Sequence, residues 1–272
     1  MVAMQGQLHG EKGEKGEKDE KGEESATLAA ITRGDKRAYV RSMFAAVAPR
    51  YDFLNRLLSL NQDRRWRRVT VGQLGWERAP GGRYLDLCAG TLDLAASLAN
   101  LPGFTGRVFG ADFVHAMLVR GQGKSARVVP LTADAQVLPF LDATFDGAMV
   151  GFGVRNLADL DAGLAEAARV VKPGGRLAIL EFSMPSRQPL RALLLAYFRR
   201  ILPVVGRLVS KHRTAYTYLP ESVLLFPDAE GLAKRMIAAG FGGVSYRRMT
   251  GGICAVHVGT RREGREGREG ES

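Results

Sequence analysis

The chain has 272 residues, 46% of them hydrophobic, which is enough apolar material for the core of one large α/β domain. Its formal charge is +11, but residues 11–24 carry −3 and residues 261–272 carry 0, so the body carries about +14. These values exclude a disordered or fibrous protein for most of the chain. A body this basic favours anionic surroundings, such as nucleic acid or acidic lipid. The two cysteines, Cys88 and Cys254, cannot by themselves make a disulfide framework or a zinc site, which fits a reducing compartment.

The two ends of the chain are low in complexity. Residues 1–34 contain an EKG repeat and residues 261–272 a REG repeat, and both are too polar and glycine-rich to repay the entropy of ordering. We therefore expect disordered tails on either side of one domain at 35–260. The N-terminus has no basic segment followed by an apolar one, and arginines interrupt the best apolar stretch, Leu190 to Val209. The sequence thus predicts a cytoplasmic protein without a membrane-spanning helix.

Residues 36–76 read as two or three helices rich in arginine and aromatic residues. They precede the first predicted strand, and we interpret 35–80 as a helical cap over the site. Beyond them, short apolar runs alternate with helical patterns. The predicted strands of this part are 83–88, 107–112, 127–132, 145–151 and 175–183. Strands that are apolar on both faces and separated by helices indicate a parallel sheet covered on both sides.

The C-terminal part departs from this alternation. A long helical and loop segment at 188–226 is interpreted as a lid insertion. A helix and two strand-like runs, 243–250 and 253–260, follow, joined by Gly251 and Gly252. Such a hairpin adds an antiparallel C-terminal edge to a mostly parallel, seven-stranded sheet.

The lid segment also contains an apolar helical stripe ended by Pro203, formed by Leu190, Leu193, Leu194, Tyr197, Phe198, Ile201 and Leu202. Basic residues accompany it at Arg191, Arg199, Arg200, Arg207 and Lys211. Either the stripe is core, or it lies on an anionic membrane surface.

The first strand-to-helix turn, residues 86–93, is where a doubly wound sheet places its ligand. A dinucleotide site needs several glycines to approach a pyrophosphate, and this turn has only Gly90. The carboxylates of Asp86 and Asp93 would repel phosphate. They suit a ligand with an ammonium and a sulfonium, which describes S-adenosylmethionine.

Polar residues also follow the next two strands. Asp112 ends the second strand, where a carboxylate can accept both ribose hydroxyl protons. Asp134 and Ala135 follow the third strand, where a carboxylate can accept from an adenine amino group and the backbone can pair with a ring nitrogen.

These residues form part of a set of motifs that occur in order along the chain. They are Phe44-Ala-Ala-Val-Ala-Pro-Arg-Tyr-Asp-Phe-Leu-Asn55, Asp86-Leu-Cys-Ala-Gly-Thr-Leu-Asp-Leu94, Ala133-Asp-Ala-Gln-Val-Leu-Pro-Phe140, Gly151-Phe-Gly-Val-Arg-Asn156 and Val171-Lys-Pro-Gly-Gly175. The set resembles the ubiquinone/menaquinone biosynthesis C-methyltransferases over nearly everything between the tails. The resemblance implies a Rossmann-like class I S-adenosylmethionine-dependent methyltransferase fold. It also implies methylation of a ring carbon on a polyprenylated quinol, either demethylmenaquinol or a benzoquinol, without a metal.

The resemblance assigns the cofactor contacts as well. The matching positions are Thr91, Asp112, Asp134 and Ala135, with Asp86 and Gly90 in the first loop. The family's usual glycine after Thr91 is Leu92 here, whose bulk is expected to crowd the methionine part of the cofactor or to change the path of the loop.

Three residues are candidates for catalysis. Arg155 is permanently cationic and would stabilise a phenolate that develops on the ring, unless it forms a structural ion pair with an acid such as Asp159. Asn156 would orient the ring or a water. Tyr51 would place a hydroxyl over the pocket, or simply pack there. His115, His212 and His257 are further candidate bases.

Other functions remain open at this point. The basic body would suit a nucleic-acid methyltransferase, but Gly151-Phe-Gly-Val-Arg-Asn156 lacks the aromatic residues that stack a flipped base. Leu92 would suit a degenerate cofactor-binding protein, and the missing glycines disfavour a NAD-linked oxidoreductase. We expect a lipid quinol substrate, peripheral contact with an anionic membrane and no nucleic-acid partner. A homodimer is one candidate assembly.

Overall fold

The computed structural model describes residues 36–201, 204 and 214–263, with the side chains of 214–217 excluded. The predicted tail at 1–34, residues 264–272 of the predicted C-terminal tail, and Leu202, Pro203, Arg207, Lys211 and His212 lie outside the described residues. Within them, the helices are α1 (Lys36–Val47), α2 (Tyr51–Leu58), α3 (Gln62–Gln73), α4 (Asp93–Ala99), α5 (His115–Gly121), α6 (Leu160–Val170), α7 (Gln188–Ala196), α8 (Thr214–Leu225) and α9 (Ala229–Ala238). A π-helical turn, Tyr197–Ile201, continues α7.

Seven strands form one sheet. They are β1 (Arg83–Leu87), β2 (Arg107–Asp112), β3 (Val128–Thr132), β4 (Phe145–Gly151), β5 (Val171–Phe182), β6 (Phe241–Met249) and β7 (Cys254–Arg261). Their spatial order is β3-β2-β1-β4-β5-β7-β6. The first five are parallel, and β7 runs antiparallel to both β5 and β6. This is the mostly parallel sheet with an antiparallel C-terminal element that the sequence predicts, and β7 ends one residue beyond the expected domain boundary.

Two apolar cores cover the two faces of the sheet. One packs α6 and α9 against one face, around Phe145, Leu164, Ile179 and Met236. The other packs α3, α4 and α5 against the opposite face, around Val71, Leu98, Leu118 and Met149. Because both faces are covered, the central strands β1 and β4 are mostly buried, and a ligand can reach the sheet at the carboxyl ends of the parallel strands.

The cap and the lid meet over these carboxyl ends. Helix α2 of the cap and the α7–α8 segment share a small apolar cluster that includes Leu54, Leu194, Phe198 and Val223. Tyr197 donates a hydrogen bond to the carbonyl of Leu58 over 3.1 Å, which ties the lid to the end of α2. Among the described residues, no helix is both long and apolar enough to cross a membrane.

Candidate active site

The loop after β1 has an unusual backbone. Cys88, Gly90 and Leu92 all have a positive φ, of 52°, 53° and 63°. Glycine adopts this conformation freely, but the other two residues each store about 1 to 3 kcal/mol of strain. The loop thus keeps a left-handed path at Leu92, although a branched residue stands there.

Leu92 does not crowd a ligand cavity, contrary to the expectation from the sequence. Its side chain is 1% exposed and belongs to the core beneath the loop. A Cβ added at Gly110 would overlap the Leu92 side chain, and one added at Gly121 would lie 2.8 Å from its Cγ. Two glycines therefore provide the space that the leucine fills.

Asp112 fixes the loop from the end of β2. Its two carboxylate oxygens accept the amides of Gly90 and Val114, each over 2.8 Å. Burial raises the pKa of Asp112, and these two hydrogen bonds oppose that rise. Each carboxylate oxygen has room for a second hydrogen bond, so the side chain can hold the loop and still accept from a ligand.

Asp134 and Ala135 share a small cavity with Asp112, close to Asn156. Arg37 reaches across from α1 and pairs with Asp134 over 2.7 Å. The preceding residue of α1, Lys36, donates to the backbone carbonyls of Arg155 and Leu157. The cavity measures about 20 Å³, and Arg37 at the start of α1 forms part of its lining.

Asp86 lies beneath the loop and lines neither this cavity nor the larger one described below. It is 1% exposed, and its Oδ2 accepts the amide of Ala95 in α4 over 2.8 Å. Burial raises the pKa of Asp86 to about 7, although the positive charge of Arg67 and the hydrogen bond from Ala95 act to lower it. The geometry shows Asp86 anchoring the helix that follows the loop.

Thr91 and Asp93 are tied to the cap through Lys124. The Thr91 hydroxyl donates to Asp52 of α2, and the Lys124 ammonium contacts both Asp52 and Asp93. Burial acts to raise the pKa of Asp52, but the hydrogen bonds from Lys124 and Thr91, together with nearby positive charges, hold it below its usual value. The Asp93 carboxylate, which the sequence suggested for a ligand ammonium, is therefore already paired with a lysine.

A second cavity, of about 570 Å³, lies between the cap and the lid. Its walls are mostly apolar, and the lid stripe contributes Leu190, Leu193, Leu194, Tyr197, Phe198 and Ile201. The charged residues in its lining are Asp63, Arg67, Arg155 and Arg200. An apolar chamber with a few charged groups in its lining is typical of a site for a largely hydrophobic ligand.

Arg155 borders this cavity as one half of a buried ion pair. Its Nη1 donates to Glu181 Oε1 and to the carbonyl of Phe152, each over 2.7 Å. Its guanidinium carbon lies 5.2 Å from the centre of the Phe182 ring. Arg155 thus forms the structural pair that the sequence left open, but with Glu181 and not Asp159.

Asn156 and Tyr51 occupy different walls. Asn156 lines the small cavity, and its side-chain oxygen accepts from Tyr218, which lines the large one. Tyr51 borders the large cavity and bonds to the Asn55 side chain. Burial raises the pKa of the Tyr51 phenol, so it remains a hydroxyl at neutral pH.

The histidines within the described part of the chain lie away from both cavities. His115 is exposed and bonds to Thr132. His257 is buried on the α9 side of the sheet, 2.8 Å from the carbonyl of Ala229. Among the described residues, no cluster of histidine, cysteine, aspartate or glutamate has the arrangement of a metal site.

Sequence reasoning missed four residues of these sites: Lys36, Arg67, Lys124 and Glu181. Glu181 follows an apolar strand run and had a visible signal, since a carboxylate there is costly unless paired. Arg67 is one of four arginines in α3, and sequence alone did not separate it from its three exposed neighbours.

Comparison with known proteins agrees with this architecture. The ubiE/COQ5 methyltransferase family model matches residues 32–261. A demethylmenaquinone methyltransferase of Thermus thermophilus is 47% identical over 80% of this chain and its own whole length. A ubiquinone/menaquinone biosynthesis C-methyltransferase of Geobacter sulfurreducens is 42% identical over 83% of this chain and 89% of its own.

Among solved structures, a SAM-dependent methyltransferase of Thermotoga maritima, described as a possible histamine N-methyltransferase, has a TM-score of 0.57 at 18% identity. The match covers 81% of this chain and 99% of that one, and it shows the shared fold. On the family match and these relatives, the chain belongs to the ubiE/COQ5 methyltransferase family.

Proposed function

We propose that this chain is an S-adenosylmethionine-dependent C-methyltransferase of quinone biosynthesis. Its substrate is a polyprenylated quinol, either demethylmenaquinol or the equivalent benzoquinol. The observation that carries the proposal is the apolar cavity of about 570 Å³, whose lining includes the fixed guanidinium of Arg155. The apolar walls suit a prenyl tail, and the guanidinium suits the oxygens of a quinol ring. Family membership and the relatives' names support the same reaction.

The residues around the small cavity fit the methyl donor. Asp112 offers unused acceptor capacity at the end of β2, and Asp134 does so at the end of β3 once Arg37 moves away. Gly90 lacks a side chain at the point where the loop faces Tyr51 and Met117. We therefore assign the ribose to Asp112 and the adenine to Asp134 and Ala135, with Thr91 and Asp86 shaping the loop. When bound, S-adenosylmethionine supplies an electrophilic methyl group on its sulfonium.

Arg155 stabilises the ring oxygen as it becomes anionic. A ring carbon becomes nucleophilic when the neighbouring hydroxyl ionises, and a preorganised donor lowers the cost of that charge. Glu181 and the Phe152 carbonyl hold Nη1, which leaves Nη2 without a hydrogen bond to the described residues. The Arg155 guanidinium is thus fixed in orientation, and its Nη2 is available to donate a hydrogen bond to the ring oxygen.

Asn156 and Tyr51 position the reactants. Asn156 lines the small cavity and accepts a hydrogen bond from Tyr218, which lines the large one. We therefore place Asn156 between the methyl donor and the quinol. Tyr51 supplies a neutral hydroxyl at the other wall. Holding the ring carbon near attack distance and excluding water is the main task in such a displacement.

The same cavity supports contact with a membrane. Leu60, Leu193 and Ile201 line it and are at least half exposed, so its opening is apolar. Exposed basic residues, including Arg191 and Arg199, stand on the lid beside these side chains. Each basic residue near an anionic surface contributes about 1 kcal/mol. We propose a cytoplasmic enzyme that rests on anionic lipid and takes up its quinol there, without a nucleic-acid partner.

The decisive experiment is to extract quinones from cells that lack this protein. We expect accumulation of a quinone lighter by one methyl group, and its conversion to the normal species by purified protein with S-adenosylmethionine after chemical reduction. The Asp112→Ala variant serves as the inactive control. An unchanged quinone profile would refute the proposal.

A further inference from the structure

Arg67 is a buried cation with too few partners. The residue is 8% exposed, and its Nε is buried without a hydrogen-bond partner among the described residues. Its ion pair with Asp63 spans 3.9 Å, and the other Asp63 oxygen accepts from the Ser59 hydroxyl. Arg155 is equally buried but has Glu181 at 2.7 Å. The buried Asp86 carboxyl also interacts with the Arg67 charge, but burial raises the pKa of Asp86 to about 7, so Asp86 is only a partial counter-ion at neutral pH. Because an incompletely paired buried charge is costly, Arg67 is suited to bind a further anion.

The position of Arg67 narrows what that anion can be. Its Nη1 lies 3.5 Å from where a Cβ on Gly151 would stand, so the guanidinium covers the end of β4. Strand order reverses between β1 and β4, and a crevice of this kind is the usual ligand site of an open α/β sheet. Arg67 also lines the wall of the large cavity. It therefore stands between the loop after β1 and the substrate chamber.

The order of the site residues along the sheet edge matches the order of groups in the methyl donor. Asp134 follows β3, Asp112 ends β2, the Gly90 loop follows β1 and Arg67 covers β4. With adenine at β3 and ribose at β2, as proposed above, the amino-acid end of S-adenosylmethionine extends over β1 toward β4. That end carries a carboxylate, and a guanidinium offers the planar pair of donors that a carboxylate accepts.

We propose that Arg67 binds the carboxylate of the methionine part of S-adenosylmethionine. This inference rests on the proposed function, because it needs the donor to bind in that orientation. It adds a specificity-determining residue that distinguishes the donor from nucleosides without the amino acid.

Calorimetry with two probes tests the assignment without any turnover. S-adenosylhomocysteine has the carboxylate, and 5′-methylthioadenosine lacks the whole amino acid while keeping the nucleoside. Hydrogen bonds to charged groups contribute about 1.5 to 3 kcal/mol. Arg67→Gln should therefore weaken S-adenosylhomocysteine binding by about tenfold to a hundredfold and leave methylthioadenosine binding unchanged. Arg68→Gln, on the exposed face of the same helix, should change neither.

Arg67→Lys provides a second test in case the glutamine variant does not fold. Lysine keeps the positive charge but lacks the planar pair of donors, so the affinity for S-adenosylhomocysteine should fall by less than in Arg67→Gln, and the affinity for methylthioadenosine should not change. Unchanged S-adenosylhomocysteine affinity in both folded variants overturns the proposal. An equal loss for both probes also overturns it, because Arg67 would then support only the fold. If the wild type binds neither probe, the proposed function itself fails.

Discussion

Arg155 Nη1 lies 2.7 Å from Glu181 Oε1, and both side chains are buried where β4 and β5 end. The carboxylate neutralises the arginine and fixes the direction of its fork. The pair thus serves both the fold and the proposed chemistry.

Arg155→Lys should keep the fold and the affinity for S-adenosylmethionine but lower methyl transfer by about a hundredfold, the effect of losing one oriented donor to a developing oxyanion. Single-turnover assays on a short-tailed quinol measure it, with calorimetry as the control for cofactor binding. A wild-type rate would remove Arg155 from the reaction.

Glu181→Gln should act on stability. It leaves the buried Arg155 charge without its counter-ion, and breaking a buried pair costs about 3 to 5 kcal/mol. Urea unfolding measures the loss, and Asp142→Asn, which alters an exposed pair with Arg169, is the matched control. Equal stability of the two variants would contradict the structural role of the Glu181 pair.

Asp112→Ala should weaken the binding of S-adenosylmethionine. The variant loses the acceptor assigned to the ribose and also frees the Gly90 and Val114 amides that shape the loop. Hydrogen bonds to a charged group are worth about 1.5 to 3 kcal/mol each, so affinity should fall at least tenfold by calorimetry. Unchanged affinity would move the ribose contact elsewhere.

Asp86 makes folding depend on pH. Burial raises its pKa from 3.8 to about 7 in the folded protein. Between these values the folded state keeps a proton that the unfolded state has lost, so this group's contribution to stability falls as pH rises from 4 to 7 and is constant above.

Asp86→Asn removes that contribution, and the asparagine oxygen still accepts the Ala95 amide. The variant should gain stability over wild type as pH rises, by up to about 4 kcal/mol at pH 8, since one pKa unit corresponds to about 1.4 kcal/mol. Urea unfolding at pH 5 to 8 tests this. Parallel pH profiles for the two proteins would show that Asp86 is ionised in the fold.

Leu92→Gly should destabilise the protein even though it relieves strain at a positive φ. Relief gains about 1 to 3 kcal/mol, whereas emptying the space beside Gly110 and Gly121 costs roughly 2 to 5 kcal/mol. Leu94→Ala is the matched control, because Leu94 is equally buried but lies within the helix. If Leu92→Gly raises the melting temperature, strain outweighs packing at this loop.

The membrane proposal predicts sedimentation with anionic liposomes at low salt. Arg191→Glu with Arg199→Glu should release the protein, because both basic residues are exposed on the lid. Activity on a short-tailed quinol should persist, since neither residue lines the cavity. Wild-type protein that never pellets would mean that the quinol reaches the site by another route.

Much of this arrangement could be predicted from the sequence, because the information is local. Apolar runs and the turn around Gly90 specify β1 and its loop, and the spacing to Asp112 and Asp134 follows from consecutive strands in one sheet. The partner of each charged side chain could not be predicted. Lys124 lies 72 positions from Asp52, and Glu181 lies 26 from Arg155, and only folding brings these partners together. Leu92 was misread for the same reason, since its space is created by two distant glycines.

Both residues at the start of α1 make long-range contacts. Lys36 donates hydrogen bonds to two backbone carbonyls, and Arg37 forms an ion pair with Asp134. On the proposed assignment of adenine to Asp134, each catalytic cycle must release Arg37 once to admit the donor and once to let the spent nucleoside leave. We expect the first turn of α1 to loosen in each of these events, because its anchoring contact is lost. Backbone amide hydrogen exchange in that turn would then report the rate at which the nucleoside site opens, and saturating S-adenosylhomocysteine should change it more than exchange anywhere on β5.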